Sequence, residues 1–386
     1  MARYRLGSIC QIISGSTPKT GVQEYWNGDK KWITPAELSE SDYIIYDTER
    51  KLTEAGVRSA GLTPLPKGTV ILSSRAPIGK VAIAGCEMYC NQGFKNFVCS
   101  NIINNKYLYW YLRSKTDFLN SLGRGATFKE ISKSTVADIE LDIPELSEQS
   151  KRVAHLEKLQ SIIASRQIQL AKLDELVKCR FVEMFGDPVL NEKAWPCENF
   201  SKYIEFITSG SRGWAKYYSD KGSYFITIKN VKKCNITTEN VQYVNPPNNA
   251  EATRTKVEEG DLLISITADL GRTGVVTKEI AQYGAYINQH LTCVRIRKGC
   301  LHPVYVAHFL ETDAGKMQFL SKNQNAVKAG LNFDAIKSIQ LLIPPISEQE
   351  HFVSFLARID KLRIVIRQSL DEAQKLFDSL MQEYFD

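Results

Sequence analysis

Two sets of residues along the chain carry the chemistry of polyanion binding. In the first half Lys19, Lys31, Trp32, Arg75, Lys80, Lys95, Arg124 and Lys129 stand with Ser16, Thr17, Asn91 and Gln92. The second half offers Arg212, Lys216, Lys229, Arg272, Lys322 and Lys328 with Ser211, Asn230, Asn288, Gln289, Asn325 and Asn332. Arginine and lysine bind phosphate oxygens or guanine edges, hydroxyls add phosphate contacts, and asparagine or glutamine pairs with adenine through two hydrogen bonds. For each residue the competing reading is a solvated surface charge or a turn-forming amide. Asn91-Gln92 and Asn288-Gln289 equally suit β-turns. The net charge of +6 is compatible with a polyanionic partner.

Catalytic signals fail one by one. Asn245-Pro246-Pro247-Asn248 resembles the Asn-Pro-Pro-aromatic segment with which adenine methyltransferases hold a flipped base, but Asn248 stands where the ring belongs. No glycine-rich loop follows a strand to hold a nucleotide, and there is no Walker loop. Histidines 155, 290, 302, 308 and 351 do not cluster at metal spacing. His290 reads as a loop or packing residue. The nine cysteines lack paired spacing, since Cys86 and Cys90 have no second pair, and read as reduced cytoplasmic thiols. No 18-residue apolar run suggests a membrane span, and the apolar stretch after Arg5 is too short for a signal peptide. Three classes remain open: a DNA-reading adaptor, a stand-alone methyltransferase or nuclease, and a coiled-coil scaffold that binds only proteins.

What must position these loops is a sequence that contains itself twice. Ile139 to Phe185 lies over Ile339 to Phe385 without a gap, at a constant offset of 200 residues. Ile143-Pro144 falls on Ile343-Pro344 and Ser147-Glu148-Gln149 on Ser347-Glu348-Gln349. A period this long excludes a solenoid and means two copies of one module, a globular domain followed by a long helix. The globular halves are less alike but keep their landmarks in order. Ser14-Gly15-Ser16 answers Ser209-Gly210-Ser211, and the strand Val70–Ser73 answers Leu262–Ser265. Gly79-Lys80 answers Gly271-Arg272, Asn91-Gln92 answers Asn288-Gln289, and helices that open on Tyr107 and Tyr305 follow at 107–113 and 305–311. Short strands, glycine turns and a few helices predict α+β domains.

The extended runs ending at Pro144 and Pro344 read as strands, with Ser147 and Ser347 as N-caps of the helices after them. Leu156, Ile163, Leu170, Val177 and Met184 recur every seventh residue, with Leu159, Arg166, Leu173 and Arg180 three places on. The second helix repeats this with Leu356, Arg363, Leu370, Phe377 and Tyr384, and Ile359, Ile366, Ala373 and Leu380. A heptad sustained this long is a coiled-coil seam. Arg166, Arg180 and Arg363 interrupt it at different heights, which favours pairing between the two helices over identical homodimers. At roughly 38 residues each helix is about 55 Å long, more than one turn of B-DNA. Gly186-Asp187-Pro188 ends the first one.

With these features in hand the whole chain resembles the specificity subunit of type I restriction–modification systems. The resemblance rests on the order domain, helix, domain, helix; on the twin Ile-Pro…Ser-Glu-Gln helix starts; and on Glu183-Met184-Phe185-Gly186-Asp187-Pro188-Val189-Leu190-Asn191…Trp195. It implies target recognition domains at 1–146 and 187–346, with helical spacer regions at 147–186 and 347–386 that form an antiparallel coiled coil. Each domain would read one half of a split asymmetric site on double-stranded DNA. Two methyltransferase subunits, which bind the S-adenosylmethionine, would dock on the chain, and restriction subunits would join them in phage defence. The chain itself would hold no cofactor and no metal and catalyse nothing.

Overall fold

The computed structural model describes residues 2–75, 77–125, 129–267, 269–323 and 330–386. The chain forms two compact units, Met1–Gln167 with Arg367–Asp386, and Ile168–Ile366. Each unit therefore takes the N-terminal part of one long helix and the C-terminal part of the other.

In the first unit β1 (Ala2–Arg5) pairs antiparallel with β6 (Glu140–Ile143), the strand that leads into the helix. The main sheet runs in the order β2 (Cys10–Ser14), β5 (Phe94–Cys99), β3 (Val70–Ser73), β4 (Val81–Ala84), with Ile44–Ile45 at its edge. Its strands are largely apolar, and β3 and β4 are buried on both faces, as continuous Val/Ile/Leu/Ala runs require. α1 (Asn105–Ser114) covers this sheet and buries Tyr107, Tyr109 and Trp110. A second sheet joins Trp26–Ile33 to Arg50–Leu52 and, in parallel, to Tyr89–Cys90.

The second unit repeats this plan. β7 (Cys197–Asn199) pairs with β12 (Gln340–Leu342). The main sheet has the order β8 (Ile204–Ser209), β11 (Leu291–Ile296), β9 (Leu262–Ser265), β10 (Thr273–Val275), which is the first unit's order strand for strand. α3 (Pro303–Glu311) takes the place of α1. The second sheet again carries a parallel pair, Ser223–Ile226 beside Ala285–Ile287. The fold is thus α+β, with one plan repeated in the two units.

The long helices α2 (Leu146–Phe185) and α4 (Ile346–Phe385) have 40 residues each. Their N-caps are Glu145 and Pro345, whose carbonyls accept the N–H groups of Gln149 at 3.0 Å and Gln349 at 3.3 Å. This corrects the expectation for Ser147 and Ser347, which lie inside the first turn. Gln149 and Gln349 are fully buried and act as clasps. The Gln149 Oε1 accepts the Asn104 N–H at 2.8 Å, and its Nε2 donates to the carbonyls of Ile102 and Pro144. Gln349 does the same with His302, Cys300 and Pro344. Each thereby ties the start of its helix to the loop before α1 or α3.

Within each unit α2 and α4 run antiparallel. In the first, Arg152 donates to the Tyr384 carbonyl and Arg166 to the Ser369 hydroxyl, and Leu156 shares a core with Phe377, Leu380 and Phe385. In the second, Arg363 binds Asp174 at 2.8 Å, while Val177 packs with Leu356 and Ile359. Burial tends to raise the Asp174 carboxyl, but Lys233 and Arg363 outweigh it and hold it below its ordinary range. Two of the seam arginines thus find side-chain or carboxylate partners across the pair. Ile163, Leu170, Leu173, Ile366 and Leu370 are only half-buried, because two helices alone cannot enclose a seam. Phe181, outside the heptad positions, and Phe352, one heptad before Ile359, are more buried; Phe181 stacks on Tyr305, and Phe352 meets Phe181 and Phe185 edge-on.

His308 of α3 meets the Phe352 ring edge-on, with centroids 5.1 Å apart. Burial first, and then the Arg363 charge, lowers its pKa from 6.5 to about 4. The fold therefore favours the neutral ring. As pH falls from 6.5 towards 4 the unfolded chain takes up a proton that the folded unit refuses, so stability is lost across that window. Denaturant titrations of wild type and His308→Phe should diverge as pH drops through this range. Parallel curves would show that His308 does not titrate this way.

Candidate nucleic-acid interface

In each unit four loops meet at one end of the main sheet, and the same backbone hydrogen bonds join them. The glycine-serine loop after β2 or β8 donates to the Asn-Gln segment, Ser16 N–H to Cys90 O at 3.1 Å and Ser211 N–H to Ile287 O at 3.0 Å. The loop after β3 or β9 donates to the same segment, Ser74 N–H to Gly93 O and Ile266 N–H to His290 O. It also accepts from a fourth loop, at Ser74 O from Ile131 and at Ile266 O from Leu331. Glycine is required at the first junction. A Cβ on Gly15 would sit 2.1 Å from the Cys90 carbonyl oxygen, and one on Gly210 would sit 2.1 Å from that of Asn288. The β3–β4 and β9–β10 turns are equally matched. Ser73 Oγ donates to Pro77 O and accepts from Lys80 N–H, as Ser265 Oγ does with Asp269 O and Arg272 N–H.

On these frames the polar side chains divide into those that hold the loops and those that face solvent. Trp32, Lys95, Ser211 and Asn230 are buried, which corrects their assignment to a DNA surface. Trp32 packs with Leu52 and Val57 and donates its indole N–H to Ser16 O. Lys95 binds Glu130 and Ser74, both at 3.2 Å. The Ser211 hydroxyl donates to that of Thr255, and Asn230 closes a capping box with Thr227.

Three further lysines spend their ammonium groups on the protein: Lys31 on Tyr46 O, Lys80 on Leu38 O, and Lys322 on Ser338. Arg272 is half-buried against Asp269 at 2.7 Å. Asn91 and Asn288 turn their own loops, accepting from Gly93 N–H and His290 N–H, and Asn332 caps the helix Phe333–Lys337. Arg75 is half-buried, with its backbone bridged to Glu130.

Lys19, Arg124 and Lys129 of the first unit and Arg212, Lys216 and Lys229 of the second are exposed. Gln92 is exposed and accepts from the Thr17 hydroxyl, while Ser16, Thr17 and Gln289 are half-exposed. Asn325 and Lys328 lie outside the described residues. Thr267 and His290, linked at 3.0 Å, join this cluster although neither was expected there. The position of His290 directly after Asn288-Gln289 was the available signal.

The arrangement can bind phosphates and present amide edges. The Cys90 thiol is buried and pushed up to about 12, the wrong direction for a nucleophile. Pro247 and Asn248 line a shallow cleft of about 390 Å³ with Asn249, Lys256, Glu258 and Tyr286. Among the described residues no group of His, Cys, Asp or Glu could hold a metal, and no helix is long and apolar enough to cross a membrane.

A family model described as type I restriction modification DNA specificity domain matches residues 1–175 and 216–375. The specificity subunit of the type I restriction enzyme MjaIX from Methanocaldococcus jannaschii is 32% identical over 261 residues, covering 62% of this chain and 60% of that protein. The EcoprrI specificity subunit of Escherichia coli is 21% identical over 375 residues, covering 92% and 87%. A crystal structure of the type I system S subunit from M. genitalium matches with a TM-score of 0.60 at 13% identity, covering 100% and 96%. A structure reported for assembly and conformational transition of the type I R-M system matches with a TM-score of 0.61 at 16% identity, covering 100% and 97%.

Proposed function

We propose, since the chain belongs to the type I restriction modification DNA specificity family, that it is the DNA-reading subunit of a restriction–modification complex. Each globular region reads one half of a bipartite asymmetric site on double-stranded DNA. The paired helices set the spacer and dock two methyltransferase subunits, which bring the S-adenosylmethionine, and restriction subunits join in the cytoplasm. The chain itself is non-catalytic. The observation that carries this reading is the pair of loop clusters, built on one hydrogen-bond frame but furnished with different side chains. A common frame fixes how each domain sits on a duplex, and different side chains on it give two different half-sites.

The helices support the docking role. Ile168, Leu176, Val182, Leu362, Ile364 and Val365 are all about half exposed or more in the second unit. Apolar side chains left exposed along both long helices offer surface to a protein partner. The deciding experiment is methylome sequencing of a host carrying this chain with its partner subunits, beside a host lacking it. A bipartite motif methylated only in the first host is the expected result. Methyl transfer by the purified chain alone would overturn the non-catalytic role.

Replacing Arg212, Lys216 and Lys229 together with alanine should weaken binding to every sequence in one half-site while leaving its base preferences intact. The log–log salt slope should flatten by about 0.9 for each phosphate that is no longer neutralised. Salt titrations of the assembled complex check this. An unchanged slope would remove these three residues from the interface.

A further inference from the structure

The Asn-Gln pair at the centre of each loop cluster divides its labour. The Asn91 and Asn288 side-chain oxygens are used inside their own turns. The following glutamine is held by another side chain, and differently in the two units. The Gln92 Oε1 accepts the Thr17 hydroxyl proton. Gln289 is held through its nitrogen, with Nε2 3.2 Å from His290 Nε2 and His290 Nδ1 3.0 Å from the Thr267 hydroxyl. With the imidazole in its Nδ1–H form, Nδ1 donates to Thr267 and Nε2 accepts from the amide. Thr267 belongs to the loop after β9 and His290 to the segment before β11, so the relay bridges two of the four loops.

A free surface glutamine rotates its amide through a half turn and offers donor and acceptor in either order. A glutamine fixed by a relay offers one order only. One bond to His290 leaves Gln289 a second N–H and an uncommitted oxygen, a donor and an acceptor side by side. That pattern complements adenine, whose N6 amino group donates and whose N7 accepts. It opposes guanine, which presents two acceptors. Gln92, held by its oxygen, keeps both N–H groups as donors and suits an acceptor-rich edge such as guanine O6 and N7.

We propose that Gln289 is a base-reading residue preset for adenine in the major groove, with Thr267 and His290 as its positioning residues, and that Gln92 is its counterpart preset for guanine. This rests on the DNA-reading role above. The assay uses the chain assembled with its methyltransferase subunits, after methylome mapping of the bipartite site. Competition binding then covers a duplex panel in which every base pair of both half-sites is varied.

Gln289→Ala should erase a preference of roughly 5- to 150-fold at one A·T pair of one half-site and leave the other positions unchanged. Gln289→Glu, an acceptor only, should move that preference towards cytosine, whose N4 donates. Thr267→Val should weaken discrimination at the same pair, and Thr267→Ser should restore it, which a purely structural loss would not do. Gln92→Ala should act at one G·C pair of the other half-site. Uniform weakening at all positions by Gln289→Ala, equal behaviour of Thr267→Val and Thr267→Ser, or a half-site without the adenine would overturn the proposal. A wild-type complex that bound all duplexes alike would instead defeat the DNA-reading role itself. Thermal melting of each variant identifies any that fails to fold, and Thr267→Ser and Gln289→Glu keep the test alive if one does.

Discussion

Matched insertions of four residues after Gln167 in α2 and after Ile366 in α4 should abolish methylation of the native site and create methylation of a longer one. Both positions fall where each helix passes from one compact unit to the other. Four residues add about 6 Å of helix at about 1.5 Å per residue. They turn it by about 400°, so each seam face returns to within roughly 40° of its place. A base-pair step rises about 3.4 Å, so the new site should carry the same half-sites with about two more unspecified pairs between them. Matched two-residue insertions turn the helices by about 200° and put the seam on the wrong side, so that variant should be destabilised instead. Methylome sequencing reads both outcomes. An unchanged spacer in the four-residue variant would refute the ruler, and altered half-site bases would show that the helices do more than set distance.

The architecture was legible because the constraints that shape it act locally and recur. Ile-Pro…Ser-Glu-Gln marks a strand end and a helix start in each copy, and β6 with α2 and β12 with α4 follow from it. The matching strand orders of the main sheets were also foreshadowed by the order of Val70–Ser73, Gly79 and Asn91-Gln92 against their counterparts. The loop surface was far less legible. Residue type reports what a side chain can bind but not what it already holds. Lys95 looks like any phosphate-binding lysine until Glu130 is found 3.2 Å away. Asn230 and Asn332 carry the amides of adenine readers and are spent on capping. Heptad spacing also missed part of the core, since Phe181, off the heptad, is buried by α3 as well as by the helix pair. A two-helix periodicity has no term for that third element.

Gln349→Ala should cost the second unit more than any of the surface substitutions. The side chain is fully buried, accepts the His302 N–H at 2.8 Å and donates to Pro344 O at 2.8 Å, with a longer contact to Cys300 O at 3.4 Å. Alanine removes one acceptor and one two-proton donor at once and leaves the buried Pro344 carbonyl and the half-buried His302 N–H and Cys300 carbonyl without partners. Each stranded group costs about 1–3 kcal/mol, so a loss on the order of 3–5 kcal/mol is expected. Gln349→Glu keeps the acceptor but loses both donors and places a charge beside two carbonyl oxygens, so it should not rescue the fold. Because the clasp joins the first turn of α4 to the start of α3, its loss should appear first as faster amide exchange at residues 300–310 and 344–352. Gln149 holds the corresponding groups of the first unit, where exchange should stay at the wild-type rate, and Gln149→Ala should give the reverse pattern. Hydrogen exchange with mass-spectrometric readout separates the two variants. A loss below about 1 kcal/mol would mean that water replaces the amide, and the clasp would then be a consequence of the helix start and not its cause.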